Sequence, residues 1–124
     1  MNYDDDNIFA KILRKEIPVK IIYEDDYALA FPDINPQAPV HVLLIPKGRY
    51  VSATDFGATA SPEEITGFYR ALSHLGKLMK VEESGYRIVC NTGPDGHQTV
   101  PHFHAHLLGG CSMGHELTTT DLAH

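Results

Sequence analysis

The stretch Pro101 to Gly110, PHFHAHLLGG, constrains this chain more than any other. His102, His104 and His106 alternate there with Phe103, Ala105 and Leu107. In extended backbone, successive side chains point to opposite faces, so three imidazoles line up on one side and apolar groups on the other. The remainder of the fold has to be arranged around a strand of that two-faced character.

A row of imidazoles has three readings. Imidazole is the commonest metal ligand. Neighbours two residues apart sit roughly 6.7 Å from one another, but the outer pair is about 13 Å apart, too far for one ion to take all three. In the second reading the middle histidine is a nucleophile while its neighbours position it and handle charge and protons. The third is a surface strand that carries histidines by chance. Three in register within a chain of eight histidines favour chemistry over chance.

A length of 124 residues and a hydrophobic fraction of 43% suit one domain over residues 1–124 with a single core, the core spanning about 7–110 and a tail 111–124. No run of about 18 apolar residues exists, and MNYDDDN is acidic where an export signal is basic and then apolar. No membrane span is expected, and the expected location is cytoplasmic. Cys90 and Cys111 form no CxxC pair and are expected to be reduced. A formal charge of −6 argues against a nucleic-acid backbone as partner, since that affinity comes largely from Lys and Arg. A small anion needs no basic surface, since backbone N–H groups, a hydroxyl and a histidine can hold it.

Asp6 or Asn7 caps an expected short helix running to about Lys15, with Ile8, Phe9, Ile12 and Leu13 as its apolar set. Val19–Tyr23 and Tyr27–Phe31 flank Glu24-Asp25-Asp26 as a hairpin. PDINPQAP, residues 32–39, is a stiff loop whose Asp33 either caps a turn or accepts from a diol such as a ribose. His41 begins an apolar strand, HVLLI. Residues 49–60 show no period and are expected to be a surface loop. Ser61-Pro62-Glu63-Glu64 then starts a long helix to about Val81, lying on the sheet, with Gly67 and Gly76 marking close packing or a bend. Tyr86–Asn91 is a further strand. TGPDGHQTV, residues 92–100, is a Gly-rich loop that can turn N–H groups toward an anion, with Asn91 and Thr99 beside it. His97, His115 and His124 show no catalytic pattern, and the tail has no clear period.

Four segments in order, IFAKILRKEIP, YEDDYALAFPDINPQAPVHVLLIPK, NTGPDGHQTV and PHFHAHLLGG, resemble the histidine triad family, in its histidine triad nucleotide-binding branch. The resemblance covers roughly residues 7–110. It implies an α+β fold with a five-stranded antiparallel sheet, one short N-terminal helix and one long helix, and a homodimer. It also implies hydrolysis of purine nucleoside phosphoramidates or acyl-nucleotides at the α-phosphorus without a cofactor.

By match to the motif, His104 is the nucleophile. His106 and Thr99 contact the phosphate or pass a proton to the leaving amine, and His102 and His41 hold the ring network. Asn91 lies near the phosphate, Val100 belongs to the nucleotide-binding set, and Asp33 matches a ribose-binding carboxylate. Ile8, Phe9, Ile12, Phe31, Ile34 and Leu43 match residues lining a base pocket. The resemblance leaves two alternatives, a dinucleoside polyphosphate hydrolase and a regulatory nucleotide-binding dimer with incidental hydrolysis. Where some relatives place zinc-binding cysteines this chain has Asn7-Ile8-Phe9-Ala10, so no metal is expected, and its C-terminus lacks a tryptophan found in others.

Overall fold

Asn7 opens α1 (Ile8–Leu13) by accepting the Ala10 N–H at 2.9 Å. Lys15, at φ 63°, closes it sooner than expected, sending the Glu16 N–H back to the Lys11 carbonyl. The computed structural model describes residues 1–114. Tail residues 115–124, His115 and His124 among them, lie outside the described residues.

After α1 come β1 (Tyr23–Glu24), β2 (Ala28–Pro32), β3 (Val40–Pro46), α2 (Ala53–Thr59), α3 (Pro62–Leu78), β4 (Tyr86–Val89) and β5 (Ala105–Gly109). The strands form one five-stranded sheet in the order β1-β2-β3-β5-β4, every neighbouring pair antiparallel. This is the α+β architecture expected.

Three local expectations change. The first strand is only two residues long, with the Ile22 N–H reaching Ala30 beyond it, because Val19 leaves the sheet to pack against the α1 cluster. Residues 49–60 are not all loop. Ser52 and Asp55 form a reciprocal capping box that starts α2, whose single buried residue, Phe56, is too little to show a period. The histidine strand is also shorter than the motif. The Pro101 ring cannot donate, the His102 N–H turns back to the Val100 carbonyl, and the Phe103 N–H bonds to Tyr50, so regular pairing begins only at Ala105.

Both sheet faces are covered. On one, Ala28, Ala30, Val42, Leu44, Ala105 and Leu107 meet Phe68, Leu72 and Leu75 of α3. On the other, Leu29, Phe31, Leu43 and Ile45 meet Phe9 and Ile12 of α1. Helix α3 starts as its sequence dictates, with Ser61 and Glu64 capping each other and Pro62 at the first position. Its two glycines sit where tyrosines press close, one in the turn before β2 and one on β4: a Cβ on Gly67 would lie 2.5 Å from Tyr27 Cγ, and one on Gly76 2.9 Å from Tyr86 Cε1. The apolar half of the 101–110 alternation thus faces α3, and the imidazoles share the α1 side of the sheet.

Candidate active site

Pairing registers place the histidines. His106 lies opposite Leu43 of β3 and Val89 of β4, and His41 lies opposite Leu108. His102, His104, His106 and His41 are all buried, which removes the surface-strand reading.

Hydrogen bonds to groups of fixed character settle where the protons sit. The backbone N–H of Gln37 donates to His41 Nδ1 at 3.0 Å, so His41 is neutral and carries its proton on Nε2. That Nε2 lies 2.9 Å from His106 Nδ1 and donates to it, leaving the His106 proton on Nε2. His104 Nδ1 lies 2.7 Å from the His102 carbonyl, an acceptor only, so Nδ1 carries a proton and the ring's lone pair is on Nε2. Nε2 of His102 likewise donates to the Pro46 carbonyl at 2.9 Å. Burial pushes the His102 imidazole down to about 4, so it is neutral at pH 7.

Asp33 takes the turn-capping role considered for it and adds a contact with the histidines that the sequence did not suggest. One carboxylate oxygen accepts the Asn35 N–H at 2.8 Å and caps the turn. The other lies 3.4 Å from His41 Nε2 and 3.9 Å from His106 Nδ1, inside the protein. The proline-rich loop thereby delivers two groups, the Gln37 N–H and the Asp33 carboxylate, onto one histidine.

Phe9 presents its ring edgewise to His104, centroids 4.9 Å apart, and to Phe31 at 5.7 Å. Ile12, Phe31 and Leu43 belong to the same buried cluster, with Val100 packed against it. Ile8 and Ile34 do not join them: Ile8 is 45% and Ile34 93% exposed. Asn91 follows β4 by two residues and is half-buried, and Thr99 is exposed at the end of the Gly-rich loop.

That loop depends on a residue whose importance no periodicity announced. The Gln98 amide accepts the Gly93 N–H at 3.0 Å and donates to the carbonyls of Val51 and Val100 at 2.6 and 3.0 Å, tying residues 92–100 to the segment before α2. A polar side chain with both donor and acceptor inside a Gly-rich loop is the only sequence signal for such a staple. The carbonyls of His102 and Pro46 and the N–H of Gln37 carry no signal at all, being backbone.

Residues 14–113 match the family model described as HIT domain. The chain belongs to the HIT family. It is 50% identical over 116 residues to an uncharacterised 13.2 kDa HIT-like protein of Azospirillum brasilense, covering 94% of this chain and 95% of that one. It is 46% identical to the 14 kDa zinc-binding protein of Zea mays over 89% of this chain and 86% of that one. Among solved structures it is similar to a HIT family hydrolase from Clostridium thermocellum, with TM-score 0.85, 36% identity and coverage of 93% and 99%. It also resembles the histidine triad nucleotide-binding protein from Candida albicans, with TM-score 0.75, 30% identity and coverage of 94% and 87%. In fold and family this is a HIT hydrolase-like protein.

The name of the maize relative raises the question of zinc. Asp33, His41 and His106 bring three donor atoms within 4.8 Å of one another. Zinc requires a bare lone pair on each imidazole nitrogen it binds. The Gln37 N–H instead keeps a proton on His41 Nε2, the atom that would ligate, so this donor set as arranged does not fit the ion. Cys90 and Cys111 are free thiols, and Asn7-Ile8-Phe9-Ala10 offers no thiolate.

Proposed function

We propose that this HIT protein hydrolyses purine nucleoside 5'-phosphoramidates and related acyl-nucleotides through a nucleotidyl-histidine on His104. The observation that carries this reading is the 2.7 Å bond from His104 Nδ1 to the His102 carbonyl, which leaves the lone pair of the buried ring on Nε2. In the first step that lone pair forms an N–P bond as the P–N bond to the leaving amine breaks, and the amine departs with a proton from solvent. The positive charge on the His104 ring is spread toward Nδ1–H, which the carbonyl already holds. In the second step water attacks phosphorus, the His104–P bond breaks, its electrons return to Nε2, and the water proton goes to solvent.

His106 serves as a hydrogen-bond donor in this scheme. With Nδ1 occupied by His41, its only proton is on Nε2, suited to a phosphoryl oxygen as charge develops there. Thr99, Asn91 and the loop N–H groups are the further donors we assign to the phosphate, and Asp33 keeps the His41–His106 pair oriented. The base is assigned to the apolar surface formed by Phe9, Ile12, Phe31 and Leu43, extended by Ile8 and Ile34 once a ligand covers them. The nucleotide-binding relative from Candida albicans supports a nucleotide as ligand. A homodimer is part of the proposal. β4 is a sheet edge, and Tyr86 and Ile88 on it, with Tyr69 and Leu78 of α3, expose apolar surface.

The test is intact-mass spectrometry of the protein and its His104→Ala variant, mixed with an adenosine phosphoramidate and quenched without acid. A transient adduct of one AMP that is absent from the variant is the expected result, and turnover that survives the substitution rejects the mechanism. Turnover on diadenosine triphosphate, measured in parallel, separates phosphoramidase from dinucleoside polyphosphate hydrolase.

A further inference from the structure

Tyr3 stands outside every motif in the sequence, yet its hydroxyl lies 2.7 Å from His102 Nδ1. The direction of that bond follows from the other side of the ring. Nε2 faces the Pro46 carbonyl at 2.9 Å, and two lone pairs would repel at that distance, so Nε2 carries the proton. Nδ1 of the neutral ring is then an acceptor and the phenol donates. Burial raises the Tyr3 phenol above its ordinary value, which keeps the donor protonated.

The tyrosine is held there by the same turn that holds the opposite edge of the imidazole. Pro46, at the end of β3, receives His102 Nε2–H. Three residues on, Arg49 stacks its guanidinium 4.9 Å from the Tyr3 ring centroid and forks onto the Asp5 carboxylate at 2.8 and 3.0 Å. Asn7 completes the bend, its side chain and its N–H both donating to the Asp4 carbonyl. The segment before α1 is thus folded back over the first histidine of the row.

We propose that Tyr3 is a positioning residue for the histidine row: by closing the second nitrogen of His102 it fixes that ring, and with it the carbonyl that holds the His104 tautomer. The catalytic half of this role rests on His104 being the nucleophile. A His102 ring gripped at Nδ1 by Tyr3 and at Nε2 by Pro46 cannot turn, so the peptide carbonyl beside it stays aligned with His104 Nδ1–H. Freed at Nδ1, the ring can admit water and a second proton, and the carbonyl can swing.

The experiment uses the full chain with ¹⁵N-labelled histidine, as wild type, Tyr3→Phe and Arg49→Met. Ring-nitrogen resonances are followed through a pH titration in the absence of substrate, and pre-steady-state nucleotidylation and KM are measured separately. In wild type, His102 is expected to show a protonated Nε2 and a hydrogen-bonded, unprotonated Nδ1. Tyr3→Phe keeps the ring's shape, so a role in packing alone leaves every signal unchanged. The positioning role instead moves the His102 Nδ1 resonance, raises the pH at which that ring takes a proton, and mixes the His104 tautomers. It also slows nucleotidylation by about tenfold, the scale of one buried hydrogen bond, with KM within about twofold. Arg49→Met moves the same signals less.

Unchanged His102 and His104 resonances in Tyr3→Phe overturn the proposal, as does an altered His102 with nucleotidylation at the wild-type rate. If wild type itself forms no adduct, the mechanism under Proposed function fails, while the resonances still decide whether Tyr3 fixes the row.

Discussion

An imidazole held at both nitrogens behaves differently from one in water, and His102 shows how much. Burial moves it from the ordinary 6.5 to about 4. Between those two values the unfolded chain binds a proton that the folded chain refuses, so stability rises with pH across that window. The contribution is complete above about pH 6.5 and fades as the pH falls toward 4, amounting to roughly 3 kcal/mol at most. Urea denaturation at a series of pH values should show this slope, and His102→Gln should flatten it. Gln98 is the second residue whose effect exceeds its size. Gln98→Ala strips partners from the Gly93 N–H and the Val51 carbonyl, and should cost roughly 2–3 kcal/mol by denaturant titration while loosening the loop next to Thr99.

Elements respond to changes at their ends and at their points of closest approach. Ser61→Ala removes the hydroxyl that receives the Glu64 N–H and should lower stability by about 1 kcal/mol. Lys80 follows α3 at φ 60°, a conformation that glycine adopts without strain. Lys80→Gly should therefore raise the thermal midpoint, by the equivalent of roughly 0.5–1 kcal/mol. Gly67 reverses the usual helix rule. Alanine there gains about 1 kcal/mol of propensity in isolation, but its methyl would meet the root of the Tyr27 ring. Gly67→Ala should destabilise on balance, by about 1–2 kcal/mol in calorimetry. Tyr27, in the turn before β2, and Tyr86 of β4 thus set how near α3 comes to the sheet.

At the scale of the molecule, the sheet is closed over by α3 on one face and by α1 with the histidine row on the other. Edge strand β4 is left with Tyr86 39% and Ile88 36% exposed. If the dimer we propose forms through this edge, Ile88→Lys should convert it to monomers in sedimentation velocity without disturbing the fold by circular dichroism. Among the described residues no helix is long and apolar enough to cross a membrane.

Local sequence determined the elements whose patterns are strong and short in range. Ser61-Pro62-x-Glu64 is a complete helix start in four residues, and His-x-His-x-His between apolar residues can divide only one way across a sheet. Where a few backbone bonds outweighed pattern, the sequence was silent. Pairing in β5 starts three residues after His102 because Pro101 and the Phe103–Tyr50 bond turn the chain away, and α2 hides behind a single buried Phe56. The candidate nucleophile was legible as the middle of a motif, but the features that govern its chemistry were not. The proton on His104 Nδ1 is set by a carbonyl, the proton on His41 Nε2 by the Gln37 N–H four residues earlier in a proline-rich loop, and the His102 ring by a tyrosine 99 positions away. Backbone carbonyls are the same in every residue and N–H groups in every residue but proline, so no sequence pattern reveals which of them will meet a given ring. Only the tertiary fold makes that choice, by bringing the β3 turn, the 32–39 loop and the segment before α1 against one row of imidazoles.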